Sequence, residues 1–424
     1  MKVLVIGNGG REHALIYALS RHAGRDLQIY CAPGNAGIAT NAQILPINAL
    51  NITELAQYAQ VKQIDLTIAG GETSLAAGVF DRFAAKDLPL FGPTQAAARL
   101  ESSKIFAKDF MSRHKIPTAR YRVAESPAVA LKILESGFFG DAAAPVVVKA
   151  DGLAAGKGVI LANNRAAAIE AISELMRDTQ AAQRVVLEET LSGREVSLLL
   201  FSDGRDYALM PAARDHKRIG ENDTGPNTGG MGVITAPHLL DEATQARVVR
   251  EIVEPTLSGA AAEGFPFRGI LFLGLMLTAA GPQLLEYNVR FGDPEAQAIL
   301  VRLESNLLDI CEAVTQGRLA QTKVVWSKEA SACVVLAAKN YPAQPATGAV
   351  ISGLEKANQR DGTVIFHAGT TRNEAGAWLT AGGRVLGVTA TGADLPAALR
   401  RAYAAVGDIS WAGMQYRRDI GQAS

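Results

Sequence analysis

Residues 146–160, VVVKADGLAAGKGVI, and residues 284–295, LLEYNVRFGDPE, constrain this chain more than any other stretch. The first reads as an apolar strand, a glycine-rich turn carrying Lys149 and Lys157, and a second strand. Glycine relaxes the steric limits on backbone angles, so main-chain amides in such a turn can close around an anion while the lysines add charge. In the second segment Glu286, Asn288 and Arg290 occupy alternate positions of an expected strand and therefore share a face. A carboxylate and an amide oxygen are hard ligands of the kind magnesium takes, and the guanidinium lies beside them.

The lysine turn is not a P-loop. Three residues separate Gly152 from Gly156, Gly158 follows Lys157 where a hydroxyl residue is required, and a strand follows instead of a helix. A hairpin that closes over phosphates fits this pattern; an idle glycine hairpin is the plainer alternative.

Charge narrows the partners. Forty-two basic residues balance 42 acidic ones, without the basic excess of a nucleic-acid binder. With 48% apolar and 20% charged residues over 424 positions, the chain is expected to build several cores. Cys31, Cys311 and Cys333 are scattered and odd in number, which argues against a disulfide framework and fits buried filler in a reducing, cytoplasmic setting. The run MKVLVIG reads as a first strand rather than a signal peptide, and no apolar stretch approaches a membrane span.

Strands expected at 3–6, 27–31, 64–69 and 88–91, with a helix at 11–21, make residues 1–100 an amino-terminal doubly wound parallel sheet. One helical stretch over 95–113 carries Lys104 and Lys108 onward. Residues 119–190 read as a small lid of strands and helices, and strands at 195–201, 207–211, 269–278 and 283–288 as an antiparallel catalytic sheet. Residues 101–326 are taken as one catalytic region, and 327–424 as a small mixed carboxy-terminal domain. The fold class is thus α/β and α+β, multidomain.

Other motifs are weaker singly. Gly7, Gly9, Gly10 and Arg11 follow a strand and open a helix, where amides and the positive helix end suit a phosphate. A purely structural turn is the alternative; a dinucleotide site would want glycine where Glu12 stands. Glu188 and Glu189 at a strand end, and Glu195 beyond, fit a hinge that reads an adenine edge and ribose hydroxyls, or merely solvated acids. The charged run 214–218 leads into DTGPNTGGMG at 223–232, a cradle for a small ligand or a wet face. No cysteine or histidine cluster suits zinc.

Taken in order, KVLVIGNGGREHAL, APGNAG, FGPT, KADGLAAGKGV, DHKRIG with DTGPNTGGMG, EYNVRFGDPE, HAGT and GGRVLGVTA resemble the phosphoribosylamine-glycine ligase family of ATP-grasp enzymes along the whole chain. The resemblance implies an ATP-grasp fold. It implies that Lys104, Lys149 and the turn Gly156, Lys157 and Gly158 contact ATP phosphates, that Glu188, Glu189 and Leu191 form the adenine hinge, and that Glu195 holds the ribose. Glu286 and Asn288 become ligands of Mg2+ or Mn2+, and Gly9, Gly10, Arg11 and Glu72 line the sugar-phosphate pocket. Asp215, Lys217, Thr228, Gly229, Gly230 and Arg290 surround the chemistry, with Lys149, Asp215 and Arg290 the catalytic set. Where the family has Gly-Pro-Glu-x-Pro-Leu, this chain has GGETSL at 70–75, keeping Glu72 and losing both prolines. AKNYP at 338–342 replaces a more glycine-rich turn.

The reaction so implied joins glycine to 5-phosphoribosylamine, with ATP giving ADP and phosphate. Its partners are small molecules, not nucleic acid or membrane. Three alternatives stay open here: a related carboxylate-amine ligase, a nicotinamide-dependent oxidoreductase built on the first sheet, and a non-catalytic nucleotide-binding regulator.

Overall fold

The computed structural model describes residues 1–21, 24–154, 158–177 and 184–422. Its first sheet contains β1 (Lys2–Gly7), β2 (Gln28–Pro33), β3 (Gln43–Ile44), β4 (Leu66–Ala69) and β5 (Leu90–Phe91), in the order β3-β2-β1-β4-β5 with every pairing parallel. Val3, Leu4, Val5 and Ile6 are fully buried, as a central parallel strand covered on both faces requires. The strand order reverses between β1 and β4, and the crevice that a doubly wound sheet leaves at such a reversal opens at their carboxyl ends. Glu12, in the helix Gly10–Arg21, fills part of it: a Cβ on Gly7 or Gly70 would come within 2.5 or 2.2 Å of its side chain.

The helical stretch expected over 95–113 is broken. It forms Gln95–Ser102 and Lys104–Arg113, with Ser103 extended between them. Ser103 Oγ accepts from Phe106 N at 3.2 Å and so caps the second helix, an arrangement serine favours over a helix interior. Periodicity does not register a one-residue break. The new helix start is tied to Asp151, whose Oδ1 accepts from Ser103 Oγ (3.0 Å) and Ile105 N (3.2 Å).

Asp151 belongs to the lid, an antiparallel sheet of β6 (Tyr121–Ala124), β7 (Val146–Ala150), β8 (Val159–Ala162) and β9 (Val185–Glu189) in the order β6-β9-β7-β8. Helices Pro127–Glu135 and Arg165–Leu175, capped by Ser126 and Asn164, pack their alanines and leucines on Val146, Val148, Val185 and Leu187.

The central sheet is larger than its sequence pattern suggests. β10 (Arg194–Asp203) carries the short β11 (Tyr207–Leu209) on one side, and β12 (Ala213–Asp215) also pairs with it. β13 (Arg218–Gly220) and β14 (Thr224–Asn227) form a separate hairpin before β15 (Gly232–Thr235). β16 (Arg268–Thr278) and β17 (Gly281–Asn288) extend the sheet at one edge; β18 (Ala330–Ala337), β19 (Thr363–His367) and β22 (Arg384–Gly392) extend it at the other, while β20 (Thr370–Arg372) and β21 (Trp378–Thr380) pair apart. The path β17-β16-β10-β12-β15-β18-β22-β19 is continuous, so the strands after residue 326 join the sheet that carries β17. The three cysteines are buried and unpaired. No helix among the described residues is long and apolar enough to cross a membrane.

Buried neutral histidines stitch distant segments together. His13 Nδ1 accepts from His367 N at 2.9 Å, and His216 Nε2 accepts from Gly421 N at 3.1 Å, so neither of these nitrogens can be protonated without losing its bond. Burial lowers His13 to about 4. Burial, with Arg417 and Arg214 nearby, lowers His216 to about 4, and burial with His13 and Arg372 lowers His367 to about 3. The unfolded chain therefore binds more protons than the folded one between pH 6.5 and 4. Stability is fully present above the unfolded value and drains away as pH falls through that window, by roughly 1–2 kcal/mol per histidine near pH 5. The urea midpoint is expected to fall steeply from pH 7 to pH 5; a flat profile would show that these rings are already charged in the fold.

Candidate nucleotide and ligation site

Lid and central sheet meet at Lys149. This residue ends the apolar run of β7, is 6% exposed, and donates to Leu285 O of β17 at 3.2 Å. Its ammonium also lies 3.0 Å from Glu188 Oε1, while Lys108 Nζ lies 2.9 Å from Glu188 Oε2. Lys108 in turn donates to Thr118 Oγ1 (2.7 Å), which donates to Leu284 O (2.6 Å). Burial lowers Lys108 to about 8 against the pull of Glu188. Lys104 caps this side by donating to Gly152 O at 2.8 Å.

Glu286 is the anion these cations face. In the pairing of β16 with β17 it stands opposite Gly274, beside a register shift, and a Cβ on Gly274 would lie 3.2 Å from Glu286 Cγ. Burial opposes its ionisation, but Lys217, Lys149, Lys104 and Arg290 outweigh that and hold its carboxyl below the usual range. Glu286, Asn288, Lys149 and Lys104 are thus brought into one charged cluster. Among the described residues no group of three or more His, Cys, Asp or Glu side chains could hold a metal. A carboxylate kept ionised and one amide oxygen fit a cation that draws its other ligands from phosphate and water.

Arg290 is not on the strand, as its alternation with Glu286 and Asn288 suggests. β17 ends at Asn288, and Arg290 sits in the bend that follows, where the chain turns toward the helix Glu295–Leu300. It folds back so that Nη2 donates to Asn288 Oδ1 at 3.1 Å, and it pairs with Glu72 (3.1 Å) and Glu101 (2.7 Å). Glu101 Oε2 also accepts from Val289 N at 2.8 Å. Glu72 reaches Arg11 at 3.7 Å, and Arg11 donates to Phe291 O at 3.2 Å. Burial disfavours the charge on Glu72, yet Arg290 and Arg11 hold its carboxyl far below the ordinary range. Arg11, Glu72 and Arg290 therefore link the crevice of the first sheet to the Glu286 cluster. Gly9 and Gly10 lie at that helix start, but the Gly9 N–H donates to Glu12 Oε2 at 2.6 Å, a capping-box bond that occupies the amide.

Asp215 ends β12. Burial raises its carboxyl, opposed by Lys217, with Glu195 and Glu286 pushing the same way as burial. Glu295, 5% exposed, is raised to about 7 by burial and by Asp215. Two carboxyls thus share a small space with one lysine. Partial desolvation of Lys217 is outweighed by Asp215, Glu195 and Glu286, and it stays charged, 2.6 Å from Glu195 Oε2. Thr228 N and Oγ1 both donate to Lys217 O at 2.8 Å, and Gly230 N donates to Thr228 Oγ1 at 3.0 Å, so the glycine loop is bound to the Asp215 strand.

The remaining hinge residues are placed differently. Glu189 turns outward to Arg120 (2.7 Å), and Leu191 is half-buried in the link between β9 and β10. Gly158 lies at the start of β8's approach, its carbonyl accepting from Ala150 N at 2.8 Å. Gly156 and Lys157 lie outside the described residues. Glu101 and the role of Lys108 escape a sequence reading, since each is an ordinary helical residue until the chain folds, whereas Glu295, read from the sequence beside the metal face, is found next to Asp215.

Residues 1–101 match the phosphoribosylglycinamide synthetase N domain, 102–296 its ATP-grasp (A) domain, and 331–423 its C domain. The phosphoribosylamine–glycine ligase of Vibrio cholerae is 47% identical over 429 residues, covering 99% of this chain and 98% of that one. That of Xylella fastidiosa is 46% identical over 430 residues, covering 99% and 97%. The crystal structure of the Thermotoga maritima phosphoribosylamine–glycine ligase superposes with a TM-score of 0.83 at 33% identity, covering 99% of this chain and all (100%) of that one. The biotin carboxylase domain of the Hydrogenobacter thermophilus 2-oxoglutarate carboxylase, at 15% identity, 98% and 91% coverage and a TM-score of 0.70, shares the fold alone. Matched along almost its whole length by all three domains, the chain belongs to the phosphoribosylglycinamide synthetase family.

Proposed function

We propose that the chain ligates glycine to 5-phosphoribosylamine through a glycyl phosphate intermediate formed at the Glu286 cluster. ATP-dependent ligation of this kind is the activity its family membership carries into purine biosynthesis. The observation that supports the intermediate is the convergence of Lys104, Lys149, Lys217 and Arg290 on one ionised carboxylate. Such a cluster neutralises a polyphosphate and lets an anionic acid approach it.

In this reading a glycine carboxylate oxygen attacks the γ-phosphorus, ADP leaves, and the amine nitrogen of phosphoribosylamine then attacks the carbonyl carbon. Phosphate departs with the oxygen that glycine supplied. Lys149 and Lys104 hold the phosphates, and Arg290 orients the acid. Asp215 takes up the proton that the amine loses, with Glu295, raised to about 7 by burial and by Asp215, beside it. Glu188, Glu189, Leu191 and Glu195 receive the adenosine, and the turn with Gly156, Lys157 and Gly158 covers the phosphates. Gly10 and Arg11 hold the sugar phosphate, with Gly9 and Glu72 lining the same pocket, while Thr228, Gly229 and Gly230 cradle the ligation substrates. Glu286 and Asn288 hold Mg2+ or Mn2+, which when bound adds charge neutralisation at the transferring phosphoryl group. Residues 1–100, 101–326 and 327–424 divide these tasks as sugar-phosphate domain, nucleotide region and carboxy-terminal domain, in a cytoplasmic enzyme whose partners are small molecules.

Glycine labelled with heavy oxygen in its carboxylate tests the intermediate. One labelled oxygen is expected in inorganic phosphate for each turnover. Unlabelled phosphate would exclude an acyl phosphate.

A further inference from the structure

Arg384 opens β22, far along the chain from the reactive loops, yet its guanidinium touches both. Nη1 donates to Gly229 O at 2.7 Å and to Asp293 O at 2.6 Å, and Nη2 pairs with Asp293 Oδ2 at 3.0 Å. The peptide on the other side of Gly229 is held as well, because the Gly229 N–H donates to Tyr341 Oη at 3.0 Å. Tyr341 can lie there only because Gly383 lacks a side chain: a Cβ would fall 2.4 Å from the ring. Arg384 at the start of β22 and Gly383 just before it thus fix both peptide groups that flank Gly229, one directly and one through Tyr341.

The two loops also meet directly. Gly230, at φ +110°, approaches Pro294 so closely that a Cβ would lie 2.6 Å from Pro294 Cδ. That apolar contact sets a distance but has no directional preference, so the loops could slide along it. A planar guanidinium with fixed donors sets direction as well, which an apolar contact cannot. From Gly229 the constraint passes through Thr228 to Lys217 O, and from Asp293 it passes back along the turn that presents Arg290.

We propose that Arg384, with Tyr341 behind Gly229, is a positioning residue that locks the glycine loop and the Arg290 turn in register for ligation. The carboxy-terminal strands thereby contribute to turnover without touching substrate. This rests on the reading of residues 224–232 as the cradle for the ligation substrates.

The test is steady-state kinetics of Arg384→Met, Arg384→Lys and Tyr341→Phe in the full chain, with thermal melting and calorimetric titration of a non-hydrolysable ATP analogue. Arg384→Met is expected to lower kcat/KM for glycine and for phosphoribosylamine about 10- to 100-fold, the loss that an ångström of misplacement causes, while affinity for the ATP analogue stays within about threefold. Arg384→Lys should recover part of the loss, since an ammonium keeps the Asp293 pair but cannot span both carbonyls. A lower melting temperature with unchanged kinetics, or equal losses for all three substrates, overturns the proposal. Should Arg384→Met fail to fold, Tyr341→Phe carries the same kinetic test with a smaller expected loss. Thr228→Val measured alongside separates the two readings. Normal kinetics there would sink the cradle itself, whereas impaired Thr228→Val beside normal Arg384→Met would sink only the brace.

Discussion

Replacing Lys149 by alanine is expected to abolish ligation, with turnover falling by roughly a thousandfold or more, the scale on which phosphoryl transfer depends on one well-placed cation. Lys149 is buried, faces Glu286 and touches the β17 backbone at Leu285 O. Its removal takes charge from the place where negative charge must gather. The same change also leaves Glu188 with Lys108 alone, and breaking a buried ion pair costs about 3–5 kcal/mol of stability. Melting curves and ATP-analogue binding must therefore accompany the assay. A folded Lys149→Ala protein with full activity would remove Lys149 from the phosphate site.

Glu286→Gln is the second large effect. It keeps the shape and one acceptor oxygen but deletes the charge that balances Lys217, Lys149, Lys104 and Arg290. Activity is expected to drop by roughly a thousandfold, and the divalent-ion concentration for half-maximal rate to rise by at least about tenfold, since losing even an outer-shell partner costs 10- to 100-fold. The measurement is rate against magnesium and against manganese, with Lys149→Ala as reference: that variant should lose rate with a smaller change in metal demand. An unchanged metal curve for active Glu286→Gln would show that the ion is held elsewhere.

Much of this was legible in the residues themselves. The apolar run before Lys149, the alternation of Glu286 with Asn288, and the strand, glycine turn and helix at Gly9 to Arg11 all fold as local pattern dictates. Local rules also explain the misreadings. Hydrophobic period cannot see the break at Ser103, and strand alternation cannot see that β17 stops before Arg290. The Gly9 amide, open on paper, is occupied by Glu12 three residues on.

Element types, the charged motifs and the family were determined by sequence alone, because a side chain's neighbours within one strand or turn follow from spacing. Which charges meet was decided only by the tertiary structure. Glu101 finds Arg290, Lys108 finds Glu188, and Arg384 bridges Gly229 and Asp293 because the β17 edge, the lid and the carboxy-terminal strands are folded onto one site. Such encounters depend on how whole sheets pack, and no spacing along the chain encodes them.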